Sequence, residues 1–257
     1  MNREEMILCR VRELRQRHPF VGVRKLQLML RNEKYGYPIL IGRDRLFALL
    51  QKYSLLSAHR RKYTQTTNSK HKNTIYPNLL SGLSVSAVNQ VWVSDITYLR
   101  LANGKFSYLF LVTDFFSRKI IGYRIDKSLS SDGAISALQM AIRNTKPAPG
   151  LIHHSDHGVQ YSCKEYVYLL KKIQANISMT GPKHCYDNAV AERVNGILKQ
   201  EYCLGLSFAS HEAAIKLVKS GIELYNTERL HHSLQYSTPN AVYEKFIKNN
   251  KQTISVI

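Results

Sequence analysis

The first part of the chain places apolar residues at the spacing of amphipathic α-helices. The apolar positions are Met6, Leu8, Val11 and Leu14 in a first helix over residues 4–17, Val23, Leu26 and Leu30 in a second, and Leu46, Leu49, Leu50 and Tyr53 in a third. Residues 36–38, Gly-Tyr-Pro, interrupt the pattern between the last two helices. These features predict an all-α helix-turn-helix domain over residues 1–58, in which Arg43 and Arg45 open the helix that would meet DNA.

A polar stretch follows this helical domain. Residues 59–75 read HRRKYTQTTNSKHKNTI and contain almost no apolar side chains. This composition predicts an extended basic linker over residues 59–87, in which Arg60, Arg61 and Lys62 can lie along a phosphate backbone.

From about residue 88 the pattern changes to the alternation that is typical of β-strands. Strands are predicted over residues 91–100, 106–114, 119–126, 151–156 and 176–180, and helices over 130–145, 163–175, 187–202 and 211–226. Asn103-Gly104 marks a hairpin turn between the first two strands. Three antiparallel strands followed by α/β crossovers predict an α/β domain over residues 88–248, a mixed five-stranded sheet flanked by helices, with a tail over 249–257.

The charge of the chain indicates a polyanionic partner. Lys and Arg number 37 against 18 Asp and Glu, a net charge of +19, and residues 1–72 alone hold 17 basic and 5 acidic residues. Each phosphate that a basic side chain neutralises releases counterions. The excess therefore favours nucleic acid as the partner over a merely soluble basic surface.

The composition argues against a membrane protein or an exported one. No apolar run approaches the ~20 residues that a membrane span needs. The start, MNREEMILCRVREL, carries acids and lacks the apolar core of a signal peptide. The four cysteines form no C-x-x-C pair, so we expect them to be reduced. The prediction is a cytoplasmic protein without a membrane contact.

Three carboxylates stand where metal-dependent chemistry would use them. Asp95 lies in the middle of the first predicted strand, Asp156 ends the fourth, and Glu192 lies on the helix face opposite a Val and Ile stripe. Acids that converge on one point repel one another unless a cation neutralises them, and their oxygens suit Mg²⁺ or Mn²⁺. Two such ions can activate a nucleophile and stabilise the leaving oxygen of a phosphodiester.

Each of these positions also has a structural alternative. Asp156 can cap the following helix, and Glu192 can lie on a solvated helix face. Asp114 competes with them because it also ends a strand, although the residues after it favour a hydrogen bond to the following turn. A zinc site is disfavoured because no pair of candidate ligands has a regular ligand spacing. Those candidates are His153, His154, His157, His184, Cys163 and Cys185.

Several segments in order resemble the DDE transposases of insertion sequences, which share a core with retroviral integrases and are encoded by a second, downstream reading frame. The segments are W-V-S-D-I-T-Y at 92–98, D-F-F-S-R-K-I-I-G at 114–122, H-S-D-H-G-V-Q-Y at 154–161, Y-D-N-A-V-A-E-R-V-N-G-I-L-K-Q-E at 186–201, Y-N-T-E-R-L-H-H-S-L at 225–234 and T-P at 238–239. The 35 residues between Asp156 and Glu192 match the gap of that family. The resemblance covers nearly the whole chain, because residues 19–56 also resemble the small helix-turn-helix that precedes the core there.

The resemblance implies an RNase H-like core with Asp95, Asp156 and Glu192 as catalytic metal ligands. It implies cleavage at transposon ends with Mg²⁺, for which Mn²⁺ can substitute, followed by attack of the freed 3′-OH on a second phosphodiester. Lys199 matches a family position suited to holding DNA near the site. Arg193 and Asn195 are expected to assist it.

Further expectations concern metals and partners. No structural zinc is expected, because Cys9 is the only cysteine before residue 163 and the amino-terminal zinc module of retroviral integrases is therefore absent. Joining of two transposon ends implies double-stranded DNA as the substrate and a homo-oligomer as the active form. The family also implies a possible upstream-frame partner that recognises the terminal repeats.

Two questions stay open at this point. Tyr225, Asn226, Arg229 and His231 match the family tail, where they either contact DNA or only pack the last helix against the core. The function is either a DNA transposase or a catalytically inactive, regulatory DNA-binding protein, and the intact acidic triad favours the enzyme. An RNase H-type nuclease that hydrolyses without joining is disfavoured, because it needs no separate DNA-reading domain.

Overall fold

The amino-terminal unit is a small bundle of three helices. The computed structural model describes residues 2–57, 74–181 and 188–254, so Arg60, Arg61 and Lys62 lie outside the described residues. The helices are α1 (Arg3–Arg17), α2 (Val23–Leu30) and α3 (Arg43–Lys52). A capping box between Asn2 and Glu5 begins α1. Most of the predicted apolar positions form one core between the three helices, with Met6 and Val23 partly buried, whereas Tyr53 is exposed.

The connection between α2 and α3 is longer than the short turn of a compact helix-turn-helix. It runs over residues 31–42 and contains a 3₁₀ turn at Glu33–Tyr35. Ile39 and Ile41 of this connection are buried, and the Ile39 N–H donates to the Leu30 carbonyl at 2.7 Å. The segment thus packs against α2, and its two isoleucines complete the core of the amino-terminal helices.

The second unit contains the predicted mixed five-stranded sheet. Its strands are β1 (Val91–Arg100), β2 (Phe106–Asp114), β3 (Ile120–Asp126), β4 (Ile152–Ser155) and β5 (Asn176–Met179), in the spatial order β3-β2-β1-β4-β5. The first three strands pair antiparallel, whereas β4 pairs parallel with β1 and with β5. This is the RNase H-like arrangement that the resemblance implied.

Helices cover both faces of this sheet. They are α4 (Ser131–Thr145), α5 (Val159–Ser162), α6 (Lys164–Lys172), α7 (Ala189–Glu201), α8 (His211–Thr227) and α9 (Pro239–Ile254). Leu109 and Leu111 of β2 pack in one core with α7 and α8, whereas Phe110 and Val112 pack in the other with α4 and α6. Successive side chains of a strand point to opposite faces, so a strand buried on both sides reads as a continuous apolar run.

The structure differs from the predicted elements at two places. The helix predicted over residues 163–175 is α6, which begins after the extended Cys163 and ends at Lys172, and the short helix α5 before Cys163 had no predicted counterpart. The helix α9 had no predicted counterpart, and it crosses residue 249, where the tail was expected to begin. Its apolar side chains Tyr243, Phe246 and Ile247 pack on the sheet core. None of the helices within the described ranges has the length and apolar character to cross a membrane.

Candidate active site

The parallel pairing of β1 and β4 brings two of the predicted acids to neighbouring positions. Val93 of β1 pairs with His154 of β4. Asp95 lies two residues after Val93, and Asp156 lies two residues after His154. Asp95 lies on the face of β1 that packs against α7, since Val91 and Val93 form a cluster with Ala191. Glu192, the residue after Ala191, lies in the first turn of this helix. Three elements thus contribute the three carboxylates.

The three carboxylates act on one another electrostatically. Burial, then the charge of Asp156 and, as a smaller effect, that of Glu192 together raise the pKa of Asp95 to about 7. Partial desolvation and then the charge of Asp156 raise the pKa of Glu192. Among the described residues no three His, Cys, Asp or Glu side chains form a closed metal-binding cluster. The acids are therefore close enough for their charges to interact, but they do not form a compact set of metal ligands.

Asp95 is held in place by hydrogen bonds. The Asn195 Nδ2 donates to Asp95 Oδ2 at 2.7 Å, and the Ile96 N–H donates to Asp95 Oδ1 at 2.8 Å. Asn195 is only 5% exposed, and its Oδ1 has no hydrogen-bond partner within the described residues. The side chain expected to assist DNA binding thus lies beneath the surface, against a carboxylate.

The other two expected DNA contacts of α7 are more accessible. Lys199 is half-buried, and desolvation lowers its pKa while the charge of Asp95 opposes this change. Arg193 is exposed. In the amino-terminal unit, Arg43 and Arg45 are both exposed in the first turn of α3, and Arg43 pairs with Asp44 at 2.7 Å.

Comparison with known proteins identifies the family of this chain. Two models described as an integrase core domain match residues 85–185 and 173–239. "Insertion element IS600 uncharacterized 31 kDa protein" of Shigella sonnei is 36% identical over 239 residues, which are 92% of this chain and 86% of that protein. "Transposase InsF for insertion sequence IS3A" of Escherichia coli K12 is 35% identical over 198 residues, 76% of this chain and 68% of that protein. The chain belongs to the insertion-sequence transposases. Membership of this family connects the protein with DNA transposition.

Solved structures of integrases are also similar to this transposase. The catalytic core domain of HTLV-2 integrase, in complex with magnesium in a trimeric form, superposes with a TM-score of 0.49 and 19% identity. That match covers 61% of this chain and 97% of the other. The catalytic core domain of BIV integrase superposes with a TM-score of 0.47 and 17% identity, over 65% of this chain and 99% of the other.

Asp156 and Asp114, both at strand ends in the transposase, have different surroundings. Asp156 Oδ1 accepts from the Gly158 N–H at 2.9 Å, but Gly158 itself is the N-cap of α5. Asp156 is therefore not the helix cap. Asp114 is 0% exposed, and its carboxylate accepts from the Ser117 N–H, the Ser117 hydroxyl and the Asn89 N–H at 2.8, 2.5 and 2.7 Å. The predicted bond between Asp114 and the following turn is confirmed.

The histidines before Asp156 are part of the core. His153 is buried between the Ser94 hydroxyl at 2.8 Å and the Tyr166 hydroxyl at 2.9 Å. Burial, and then the neighbouring His154, lower the pKa of His153 to about 3. His154 Nδ1 lies 2.8 Å from the Ser178 hydroxyl on β5. His184 and Cys185, also considered for a zinc site, lie outside the described residues.

The family tail packs the last part of the transposase core. The Tyr225 hydroxyl donates to the Arg118 carbonyl at 2.9 Å, and Asn226 bonds both backbone groups of Ile120 at 3.0 and 2.9 Å. Arg229 is 3% exposed and binds Glu201. His231 is likewise buried. These residues were expected either to contact DNA or to pack the last helix against the core, and the structure shows packing.

Sequence reasoning missed the charged contacts between the amino-terminal helices and this core. Lys25 of α2 pairs with Glu201 at 3.0 Å, and Arg17 and His18 at the end of α1 both pair with Glu228. The adjacent Glu228 and Arg229 within the motif at residues 225–234 were the local signal for buried charges. A sequence motif does not indicate which residues such charges pair with.

Proposed function

We propose that this transposase cleaves the ends of its own element and joins the freed 3′-OH to target DNA, with Asp95, Asp156 and Glu192 as its catalytic carboxylates. The observation that carries this proposal is that Asp95 and Asp156 follow paired residues of β1 and β4, and that Asp95 faces α7, which carries Glu192. Burial and then the charge of Asp156 raise the pKa of both Asp95 and Glu192, and shifts of this kind are typical of acids at catalytic sites. The donor set is made only of carboxylate oxygens, which fits hard divalent cations.

The three carboxylates would hold Mg²⁺, or Mn²⁺ in its place, most simply as a pair of ions. When bound, such ions supply a stronger nucleophile and charge stabilisation for the leaving oxygen of a phosphodiester. Asn195 has a different task from the one expected, because its amide bonds Asp95 Oδ2. We assign it to fixing the orientation of that carboxylate.

Basic residues would place the DNA at these carboxylates. Lys199 lies on the same helix as Glu192, close enough for the charge of Asp95 to affect its pKa. We propose that it holds a phosphate beside the scissile bond and that exposed Arg193 assists. Arg43 and Arg45 would contact the duplex from α3, and Arg60, Arg61 and Lys62 would extend this path along the linker.

The proposed reaction also requires partners. Two ends must be joined in one event, so we propose that a homo-oligomer acts on paired DNA ends, in the cytoplasm where the DNA lies. The requirement for an upstream-frame product stays a prediction.

The decisive experiment compares Asp156→Asn with wild type on labelled element-end DNA, in Mg²⁺ and in EDTA. Asp132→Asn is the matched control, because Asp132 is an exposed acid at the start of α4. We expect cleaved and joined products with wild type and Asp132→Asn in Mg²⁺ only. We expect at least about a thousandfold loss with Asp156→Asn, while DNA binding persists.

Other outcomes would redirect the assignment. Joining by Asp156→Asn at the wild-type rate would exclude Asp156 as a metal ligand. If every protein binds the DNA ends and none cuts or joins them, with and without an upstream-frame product, the regulatory DNA-binding alternative gains. Cleavage without joined products would favour the nuclease.

A further inference from the structure

A cluster of buried and partly buried polar side chains, most of them charged, joins the amino-terminal helices to the carboxyl-terminal end of α7. We call it the interdomain cluster. It consists of His18, Lys25, Glu201, Tyr202, Glu228 and Arg229. Its members come from α1 and α2 on one side and from the end of α7 and the segment after α8 on the other. A cluster of this kind is costly unless each charge is paired.

Glu201, the last residue of α7, accepts two cations at once. Lys25 Nζ lies 3.0 Å from Glu201 Oε1, and Arg229 binds the two oxygens of Glu201 at 2.9 and 2.6 Å. Burial alone would raise the pKa of Glu201, but Arg229 and Lys25 keep it below its usual value. Glu201 is therefore ionised, and one of its two partners belongs to the amino-terminal unit.

The next residue of the chain is held by a second contact from the same unit. Tyr202 is the C-cap of α7, and its hydroxyl lies 3.4 Å from His18 Nδ1. The other ring nitrogen of His18 lies 3.0 Å from Glu228 Oε2. His18 is 2% exposed, so water does not compete for these bonds. Leu230 packs against the apolar core of the amino-terminal helices beside them.

These contacts bear on the candidate active site because they lie on α7. Glu192, Asn195 and Lys199 all lie on this helix, and the two contacts hold its last residue and its cap. A rigid helix transmits a displacement at one end to the other, because its backbone hydrogen bonds run along its whole length. Loosening the cluster would thus shift Glu192 relative to Asp95, which is fixed in the sheet.

We propose that Lys25 and His18 are positioning residues, through which the amino-terminal helices hold α7 in the orientation that the reaction requires. This inference rests on the proposed function and adds a coupling to it. The unit expected to read DNA would also brace the helix that carries one of the three acids. A transposase whose amino-terminal helices are displaced would then keep its fold but cut and join poorly.

The test combines amide hydrogen exchange of the full chain with steady-state kinetics of strand joining. The variants are Lys25→Ala, His18→Phe and the conservative Lys25→Arg. Lys25→Ala leaves Glu201 paired with Arg229, so no buried charge is stranded. Lys52→Ala is the control, because Lys52 makes an exposed ion pair with Glu4 in the same unit.

We expect the amides of α7 to exchange about tenfold faster in Lys25→Ala and His18→Phe, with those of α4 unchanged, and Lys25→Arg and Lys52→Ala to match wild type. The turnover rate should fall about tenfold while the KM for end DNA changes less than about twofold. Unchanged exchange in α7, or faster exchange throughout the core, would overturn the proposal. Hydrogen exchange needs no activity: if wild type neither cuts nor joins but the α7 effect appears, the coupling stands and the proposed function fails.

Discussion

At the scale of single residues, Asp95 and Asp114 show how different the surroundings of two strand aspartates can be. Asp95 accepts one side-chain and one backbone hydrogen bond, and neighbouring acids help to raise its pKa to about 7. Asp114 has a raised pKa from burial, but three donors from its own turn and from Asn89 satisfy it. An acid that remains unneutralised among other acids is suited to a cation, whereas a fully bonded one stabilises a turn.

Replacing Asp114 with Asn should therefore affect folding and leave the chemistry intact. The Asn side chain is neutral and has one acceptor oxygen, so it cannot replace the carboxylate in all three hydrogen bonds. We therefore expect a loss of about 2–4 kcal/mol in the free energy of unfolding. Urea unfolding measures this loss. Joining activity per folded molecule should stay near wild type. A stable Asp114→Asn protein that no longer joins DNA would make Asp114 a catalytic acid instead.

His153 should contribute to acid unfolding. Its folded pKa of about 3 lies below the ordinary 6.5, so the unfolded chain binds the proton first as the pH falls. The stability that depends on neutral His153 is complete above about pH 6.5 and is lost at up to about 1.4 kcal/mol per pH unit toward pH 3.

The measurement is the free energy of unfolding between pH 7 and 4 for wild type, His153→Gln and the exposed-site control His232→Gln. We expect the pH dependence to be shallower only in His153→Gln. Identical slopes for all three proteins would show that His153 does not titrate in this way. The groups that face it are the Ser94 and Tyr166 hydroxyls and the rings of His154 and Tyr161.

At the scale of elements, the approach of α4 to the sheet depends on a residue without a side chain. A Cβ at Gly122 of β3 would lie 2.2 Å from the Ala137 carbonyl oxygen and 2.8 Å from the Ala141 nitrogen. Both neighbours are backbone atoms, which cannot rotate away. The helix lies this close because small residues meet at the contact, and it thereby covers the face of the sheet opposite α7 and α8.

The variant Gly122→Ala should accordingly be destabilised by about 1–3 kcal/mol or more through overpacking. Gly22→Ala is the control, since a Cβ there meets nothing within 4 Å. Thermal unfolding of the two variants should differ clearly, with Gly22→Ala near wild type. A Gly122→Ala protein as stable as the control would mean that α4 can move away without cost.

At the scale of the whole molecule, charge and packing arrange the amino-terminal helices against the domain that contains the sheet. The excess of basic residues lies in the first part of the chain, and Lys25, Arg17 and His18 of that part face Glu201 and Glu228 of the core. A few cations are thus used for internal pairing, and exposed ones such as Arg43 and Arg45 stay available for phosphate groups.

Removing both exposed arginines of α3 should weaken DNA binding in a salt-dependent way. For the double variant of Arg43→Ala and Arg45→Ala, we expect the slope of log K against log salt to become shallower by about two. A double variant of Arg124→Ala and Lys127→Ala carries the same change in charge at the edge strand β3 and should leave the slope unchanged. Equal slopes in the two double variants would place the DNA elsewhere.

Local patterns along the chain were enough to predict most of the elements and to single out the three acids. Strand β1 runs over Val91–Arg100, as its alternation predicted, because a period of two residues is a local signal. The mixed sheet followed from the order of strands and helices, and Asp95, Asp156 and Glu192 stood out by position and spacing. The long helix α9 was missed, although Tyr243, Phe246 and Ile247 recur on one helix face.

The partners of the polar side chains became known only from the way in which the elements pack in the fold. Asn195 bonds an aspartate 100 positions away, Lys25 a glutamate 176 positions away, and His18 one 210 positions away. Pairs so distant leave no periodic trace in a sequence, because their meeting depends on how whole elements pack. The same holds for the tail residues, since Tyr225 bonds the Arg118 carbonyl and Arg229 bonds Glu201 at the end of α7.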